Sequence, residues 1–490
     1  MFRNCCSVFS WSMLRRSGLI FSVILSALLM SCAGSNLLRR EKLSESVASN
    51  DFPSAVSIIK KHKKLYKNAE FLYHMDLGVL YHYAGLFDSS NTHLFQAAQI
   101  HEELYARSVT NEAAAVLTND NVRPYRSRPY ELVQLHQFIA LNFLAQGKYQ
   151  EALVETRRVQ LMFNEWERTG GEKGKYHSDG MFHLVSSLAY EAVGETDNSL
   201  ISLFKSVKAF KAGPVPLSPE VKHYAYERLV AGGRESDTSL LNIRGSAKSR
   251  WNIGQGTSEI VLIGYAGKGP ALQEKFWSGT YVKDGILLLS TRGPDGRVIT
   301  ERMSAPSLPA SEYAKAARGQ KTRSGTTFHV KVALPEVQTF PSNAAYFTAQ
   351  TNSFSESARS VVVNDINLQA RKALKDAWGT TITRTVVRVV LRTIAAQKAK
   401  ARIRTESPLA NLLLNLGTDV LADQLEKADT RSCFLLPQKI HMVRIPVNPG
   451  VHTVRVNVYD RSGRQMGMRE YKDVRVKKGE KKFIFHHSLK

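Results

Sequence analysis

The chain has 490 residues, too many for one ordinary core, so roughly two to three domains are expected. Hydrophobic residues make up 43% and charged ones 22%, which excludes a disordered or collagen-like chain. The net charge of +24 is uneven: residues 1–240 carry 27 basic and 24 acidic groups, whereas residues 241–490 carry 40 and 19. A near-neutral half precedes a strongly basic one.

In chain order, Arg15 and Arg16 precede an apolar run from Leu19 to Met30. That run suits a signal h-region and is too short to span a membrane. It ends in Leu29-Met30-Ser31-Cys32-Ala33-Gly34, which resembles the lipobox of bacterial lipoproteins. The resemblance implies that Cys32 is acylated and becomes the first residue of the mature chain, with 1–31 removed and 32–40 a tether. Ala33 after the cysteine, rather than Asp, implies sorting to the outer membrane, facing the periplasm. Met13 is an alternative start, which would leave a compact signal. Of four cysteines only Cys433 would remain unmodified in the mature chain, so no internal disulfide and no cysteine metal site are expected. No later stretch is long and uncharged enough to span a membrane.

Residues 41–235 read as helical, with three self-similar windows. They are Gly78-x2-Tyr81-x3-Gly85-x-Phe87, Ala140-x2-Phe143-x3-Gly147-x-Tyr149 and Ser187-x2-Tyr190-x3-Gly194. Each places a small residue, an aromatic and a turn glycine where two antiparallel helices would meet closely. The pattern resembles the tetratricopeptide repeat. The turn glycines stand 62 and 47 apart, not the about 34 of a regular array, so insertions are expected, including a Pro-rich one at Pro124 and Pro129. On that resemblance the partner groove would include Met75, Val79, His82, Gln134, Gln137 and Leu141.

Prolines within 211–219 and the pair Gly232-Gly233 mark a boundary. Beyond about residue 240 the period changes to two. Strands are expected over 259–265, 286–290, 327–334, 345–351, 359–363, 439–446, 452–459 and 471–476, with turns at Gly293-Pro294-Asp295-Gly296 and Asp460-Arg461-Ser462-Gly463. Helices are expected over 365–404 and 408–427. The fold class is therefore α+β and multidomain: a tetratricopeptide-like helical domain, then a basic mixed α/β domain over 236–490 whose last strands complete an earlier sheet.

Asn119-Asp120, Leu141-Asn142-x4-Gly147, Gly264-x2-Gly267-x2-Pro270 and Glu426-x-Ala428-Asp429-x-Arg431 together resemble a family of uncharacterised bacterial outer-membrane lipoproteins. Some relatives are encoded beside an activator of peptidoglycan synthases, which implies an envelope role.

Motifs of catalysis are weak. The glycines at 264–269 lack the Gly-Lys-Ser/Thr of a phosphate loop, and Pro270 would block helix amides. His101-Glu102-Glu103 lacks a second histidine four residues on, and no Gly-x-Ser-x-Gly elbow occurs. His486-His487 reads as part of an edge strand and Cys433 as a packing residue. Glu426, Asp429 and Arg431 form a polar cluster that reads as a structural ion pair.

The strongest remaining signal is basic. Residues 365–405 hold ten cations and two acids. Arg384, Arg388 and Arg392 lie four apart on one helix face, followed by Lys398 and Lys400. Unmixed charge on one face suggests an anionic partner. The exported address disfavours nucleic acid and leaves anionic lipid, lipopolysaccharide or acidic glycan. The expected function is that of a non-enzymatic, cofactor-free envelope scaffold that binds a protein through its repeats and an anionic component through its basic half. An envelope enzyme acting on glycan or lipid, or a subunit of a transport or secretion assembly, are the alternatives.

Overall fold

The computed structural model describes residues 41–108, 123–176, 178–243, 248–251, 257–282, 286–293, 295–304, 327–352, 354–403 and 427–490. Cys32 and the expected helix over 408–427, save Lys427, lie outside them. The chain forms two compact units, divided between His62 and Lys63. The first contains helix α1 (Phe52–Lys61), which Asp51 caps by accepting from the Ser54 backbone N–H at 3.2 Å.

The second unit runs from Lys63 to Lys490. Its helical part contains α2 (Glu70–Tyr83), α3 (Phe87–Ser108), α4 (Pro129–Ala145), α5 (Tyr149–Thr169), α6 (Gly180–Ala192), α7 (Thr196–Ala212) and α8 (Pro219–Ala231). The turns α2–α3, α4–α5 and α6–α7 each carry a glycine at positive φ: Gly85 at 74°, Gly147 at 72° and Gly194 at 80°. The small residues of the windows permit close helix approach. A Cβ on Gly78 would stand 2.5 Å from Leu94 Cδ2, and Ser187 Oγ lies 3.0 Å from Ser199 Oγ. Gly147 has open space around it, so its requirement is backbone conformation alone. Gly147→Val should therefore cost about 1–3 kcal/mol, read as a lower urea midpoint; an unchanged midpoint would show that the turn accepts another geometry.

Among the described residues three four-stranded sheets follow. Sheet A has the order β12-β1-β9-β8, where β1 is Glu259–Lys268, β8 Val361–Asp365, β9 Pro437–Pro446 and β12 Lys481–Ser488. Sheet B is β4-β3-β2-β5: Val298–Ser304, Ile286–Arg292, Ala271–Val282 and Thr327–Gln338. Sheet C is β11-β10-β6-β7: Gln465–Val476, Gly450–Tyr459, Tyr346–Thr351 and Phe354–Arg359. Helices α9 (Ile366–Asp376) and α10 (Trp378–Ile403) stand between β8 and β9.

Sheets A and C pack face to face. Ile260, Leu262, Val443 and Ile445 of sheet A meet Phe347, Val454, Val456 and Val458 of sheet C in one buried cluster. Gly264 permits this approach, since a Cβ there would lie 2.7 Å from the Phe347 ring. Alternation then sends Glu259, Tyr265, Arg444 and Phe485 to the other face of sheet A, where they meet the helices. Residues on both sides of position 235 thus share the core of one unit.

Several expectations shift in detail. The strand expected over 359–363 is two strands, β7 and β8, separated at Ser360, whose N–H donates to the Phe347 carbonyl at 2.8 Å. The helix expected over 365–404 is broken at Ala377 into α9 and α10. Both expected turns form, with Gly296 and Gly463 at positive φ. Strands β2 and β4 are additional, and β12 extends the edge strand expected at His486-His487 back to Lys481.

Candidate functional site

The six expected groove residues lie on α2 and α4, and all are buried: Met75, Val79, His82, Gln134, Gln137 and Leu141 are each at most 1% exposed. Their burial corrects the expectation of an open partner groove there: these side chains are interior packing. Sheet A covers His82 and the neighbouring Phe138, while Gln137 donates to Met181 of α6. The Phe485 ring stands edge-on to His82 at 4.6 Å, and Tyr265 stacks near Phe138 at 5.8 Å. Tyr83 Oη donates to the Leu435 carbonyl at 3.1 Å, and Tyr149 Oη to the Lys481 carbonyl at 3.1 Å.

His82 is the polar centre of this interface. Asn142 uses its amide N–H to donate to Ser90 and Asn91, so its carbonyl oxygen faces His82 Nδ1 at 2.6 Å. That assigns the proton to Nδ1 and leaves Nε2 to accept from Tyr265 Oη at 2.8 Å. Burial holds His82 down at about 4, so the ring is neutral.

A second buried network joins sheet A to α6 and α8. Glu259 receives two bonds from Arg444, at 2.8 and 2.9 Å, and one from Lys481. Glu191 on α6 lies 3.5 Å from Arg444, 3.4 Å from Lys481 and 3.6 Å from Arg228. The Arg444 guanidinium sits 4.6 Å from the Tyr224 ring centroid. Burial pushes the Glu259 carboxyl up, but Arg444 and Lys481 outweigh it and hold the group at about 2. The arrangement is buried and charge-paired, and it acts as a clasp.

The expected basic helix face is only partly a surface. Arg384 is exposed, Arg392 half-buried and Arg388 only 1% exposed. The side chains of Lys398 and Lys400 lie outside the described residues. Arg388 corrects the expectation of one solvent-facing row: it is buried where α10 meets the surrounding segments in a cleft.

What Arg384 and Arg388 share is a cleft of about 320 Å³. Its walls are α9 and α10, the β5 residues Ala333 and Pro335, the segment 123–129 and the segment 428–431. Six arginines line it, at 123, 126, 128, 384, 388 and 431, against Asp376 and Asp429. One wall is held firmly. Arg431 forks onto Asp429 with two bonds of 2.8 Å and donates to the carbonyls of Asn68 and Arg123 at 3.0 and 2.9 Å. Arg128 donates to Tyr125 Oη at 2.8 Å and to the Arg431 carbonyl at 2.9 Å. The Glu131 carboxylate accepts from Tyr125 Oη and from the backbone N–H groups of Arg128 and Cys433. Burial raises the Asp429 pKa, but the bonded Arg431 outweighs it and keeps the carboxyl low. Asp429 and Arg431 are thus an ion pair that stiffens the cleft, and Cys433 is buried packing.

The cleft brings together features that stand far apart in the chain, the basic helix and the Asp429–Arg431 cluster. The arginines at 123, 126 and 128 escape the sequence reading because their stretch reads as a Pro-rich insertion. Their close spacing, R-x-x-R-x-R just before a helix, is the signal that could have marked them. The cleft volume and charge suit a small anionic group held by guanidinium forks. Among the described residues no three His, Cys, Asp or Glu side chains gather as a metal set, and no helix is long and apolar enough to cross a membrane.

No family model matches this chain, and no curated protein matches it. A solved structure of MamA AMB-1 is similar at 12% identity, covering 42% of this chain and 89% of that one, with a TM-score of 0.24. That score is too low to speak for a shared fold.

Proposed function

We propose that this chain is a lipid-anchored protein of the bacterial envelope that binds an anionic envelope component in the arginine-lined cleft. The cleft carries the reading: six arginines line about 320 Å³, with one wall fixed by its own ion pair. The lipobox at Cys32 supports the anchor, and outer-membrane sorting follows from Ala33. Antiparallel helix pairs turned at Gly85, Gly147 and Gly194 support the tetratricopeptide-like description of the helical half. With α2 and α4 turned inward, that half serves as the frame that holds sheet A and the 123–131 segment. No chemical step is proposed.

Two measurements test this. Wild type should take up radiolabelled fatty acid and fractionate with membranes, and Cys32→Ala should do neither. The cleft is tested with the chain from residue 32, carrying Cys32→Ala, titrated with a soluble peptidoglycan digest and with polyphosphate. Binding to at least one is expected, weakening as salt rises because partly exposed charges are screened within about 8–10 Å. Arg126→Gln with Arg384→Gln should weaken it about tenfold or more, since two charge-assisted bonds are lost. Equal binding by the double variant, or no binding by the parent, rejects the cleft.

A further inference from the structure

Over β2, β3 and β4, sheet B has one covered and one open face; on β5 Ala333, opposite Phe276, is buried in the cleft wall. Trp277, Leu287, Leu289, Val332 and Leu334 point inward, and Trp277 meets Trp378 of α10 at 5.8 Å. The opposite parity carries Phe276, Leu288 and Val298, which are 46%, 47% and 66% exposed. Large apolar side chains exposed together on a regular sheet face mark an interaction surface. The register then places cations among them. Leu288 is directly opposite Arg302, and Val298 is directly opposite Arg292. Lys331 on β5 holds its ammonium 5.3 Å from the Phe276 ring centroid. Arg292, Arg302 and Lys331 are all exposed. Glu301, the one acid of β4, has the other parity and faces the hollow beside Trp378 and Lys175.

We infer that this face of β2, β3 and β4 rests on an anionic lipid surface. The chemistry suits that occupant on both counts. Apolar side chains enter the headgroup–acyl boundary, while Arg and Lys lay their stems along them and lift their charges to the phosphates. The pairing of each apolar residue with a neighbouring cation fits a surface that presents both at once. The cleft adjoins this face at Ala333, but this inference does not depend on it.

The test uses the chain from residue 32 with Cys32→Ala, so that no acyl chain contributes, and vesicles of phosphatidylglycerol with phosphatidylcholine or of phosphatidylcholine alone. The chain should sediment with the anionic vesicles and much less with the neutral ones. Arg292→Gln, Arg302→Gln and Lys331→Gln together should weaken binding about a hundredfold. Leu288→Ser with Val298→Ser should weaken it about tenfold at unchanged charge. Both sets replace exposed side chains, and unchanged melting temperatures would verify their fold. The cleft variant Arg126→Gln with Arg384→Gln should sediment like its parent. The inference is overturned if the parent ignores anionic vesicles, or if both sheet variants sediment as the parent does. It is equally overturned if gel filtration shows a dimer that these substitutions dissolve, since the face would then join two copies.

Discussion

Glu259→Gln should remove about 3–5 kcal/mol of stability, because it leaves Arg444 and Lys481 buried opposite a neutral amide. Arg444 is 2% exposed and Lys481 4%, so water cannot replace the lost carboxylate. Glu191 remains, but it already faces Arg228 as well as these two cations. Urea unfolding followed by circular dichroism would read the loss as a lower midpoint. The control is Glu470→Gln, which breaks an exposed pair with Arg455 and should change stability by less than about 1 kcal/mol. If the two variants lose the same amount, the clasp contributes no more than a surface ion pair.

Acidification is the second large effect. Burial holds His82 and His486 down at about 4, and His183 and His441 down at about 3. In the unfolded chain each would accept a proton near its ordinary value of 6.5. Between these limits the unfolded state binds more protons, so stability is full above about pH 6.5 and falls as pH drops. By pH 5 each of the four disfavours the folded state by about 2 kcal/mol. Their total approaches the whole stability of an ordinary domain. The urea midpoint should therefore decline steeply from pH 7 to pH 5, with loss of near-ultraviolet dichroism. A flat midpoint over that range would mean that these rings are hydrated or already charged in the folded chain.

Local rules carried the sequence reading a long way. The glycine turns at 85, 147 and 194 and the strands around 259, 286, 327, 439 and 452 follow from backbone preference and alternation, which nearby residues settle. β12 was visible only as a pair of histidines, because Lys481 and Lys482 make its start look solvated. Lys481 is buried there because Glu259, far away in sequence, receives its charge. The inward turn of α2 and α4 was equally hidden. A small-residue pattern specifies how two helices approach each other, and says nothing about what covers their other face. Arg384 and Arg388 were legible as a basic pair. Their cleft was not, since its other arginines come from segments 123–128 and 431 and meet them only through tertiary packing.

The order of assembly is written into sheet A. Its strand β1 lies between β12 and β9, both of which are made long after it. Synthesis proceeds from the N-terminus, so α2 and α4 are complete long before Phe485 and His487 exist to meet them. Until β12 is made, β1 has an unpaired edge and His82 lacks the Phe485 ring that stands against it. The parallel β1–β12 ladder is also a contact of very long sequence separation, the kind that forms slowly. Sheet A is therefore completed late, when β12 joins β1. Before that, the unpaired edge of β1 is a template for wrong pairing.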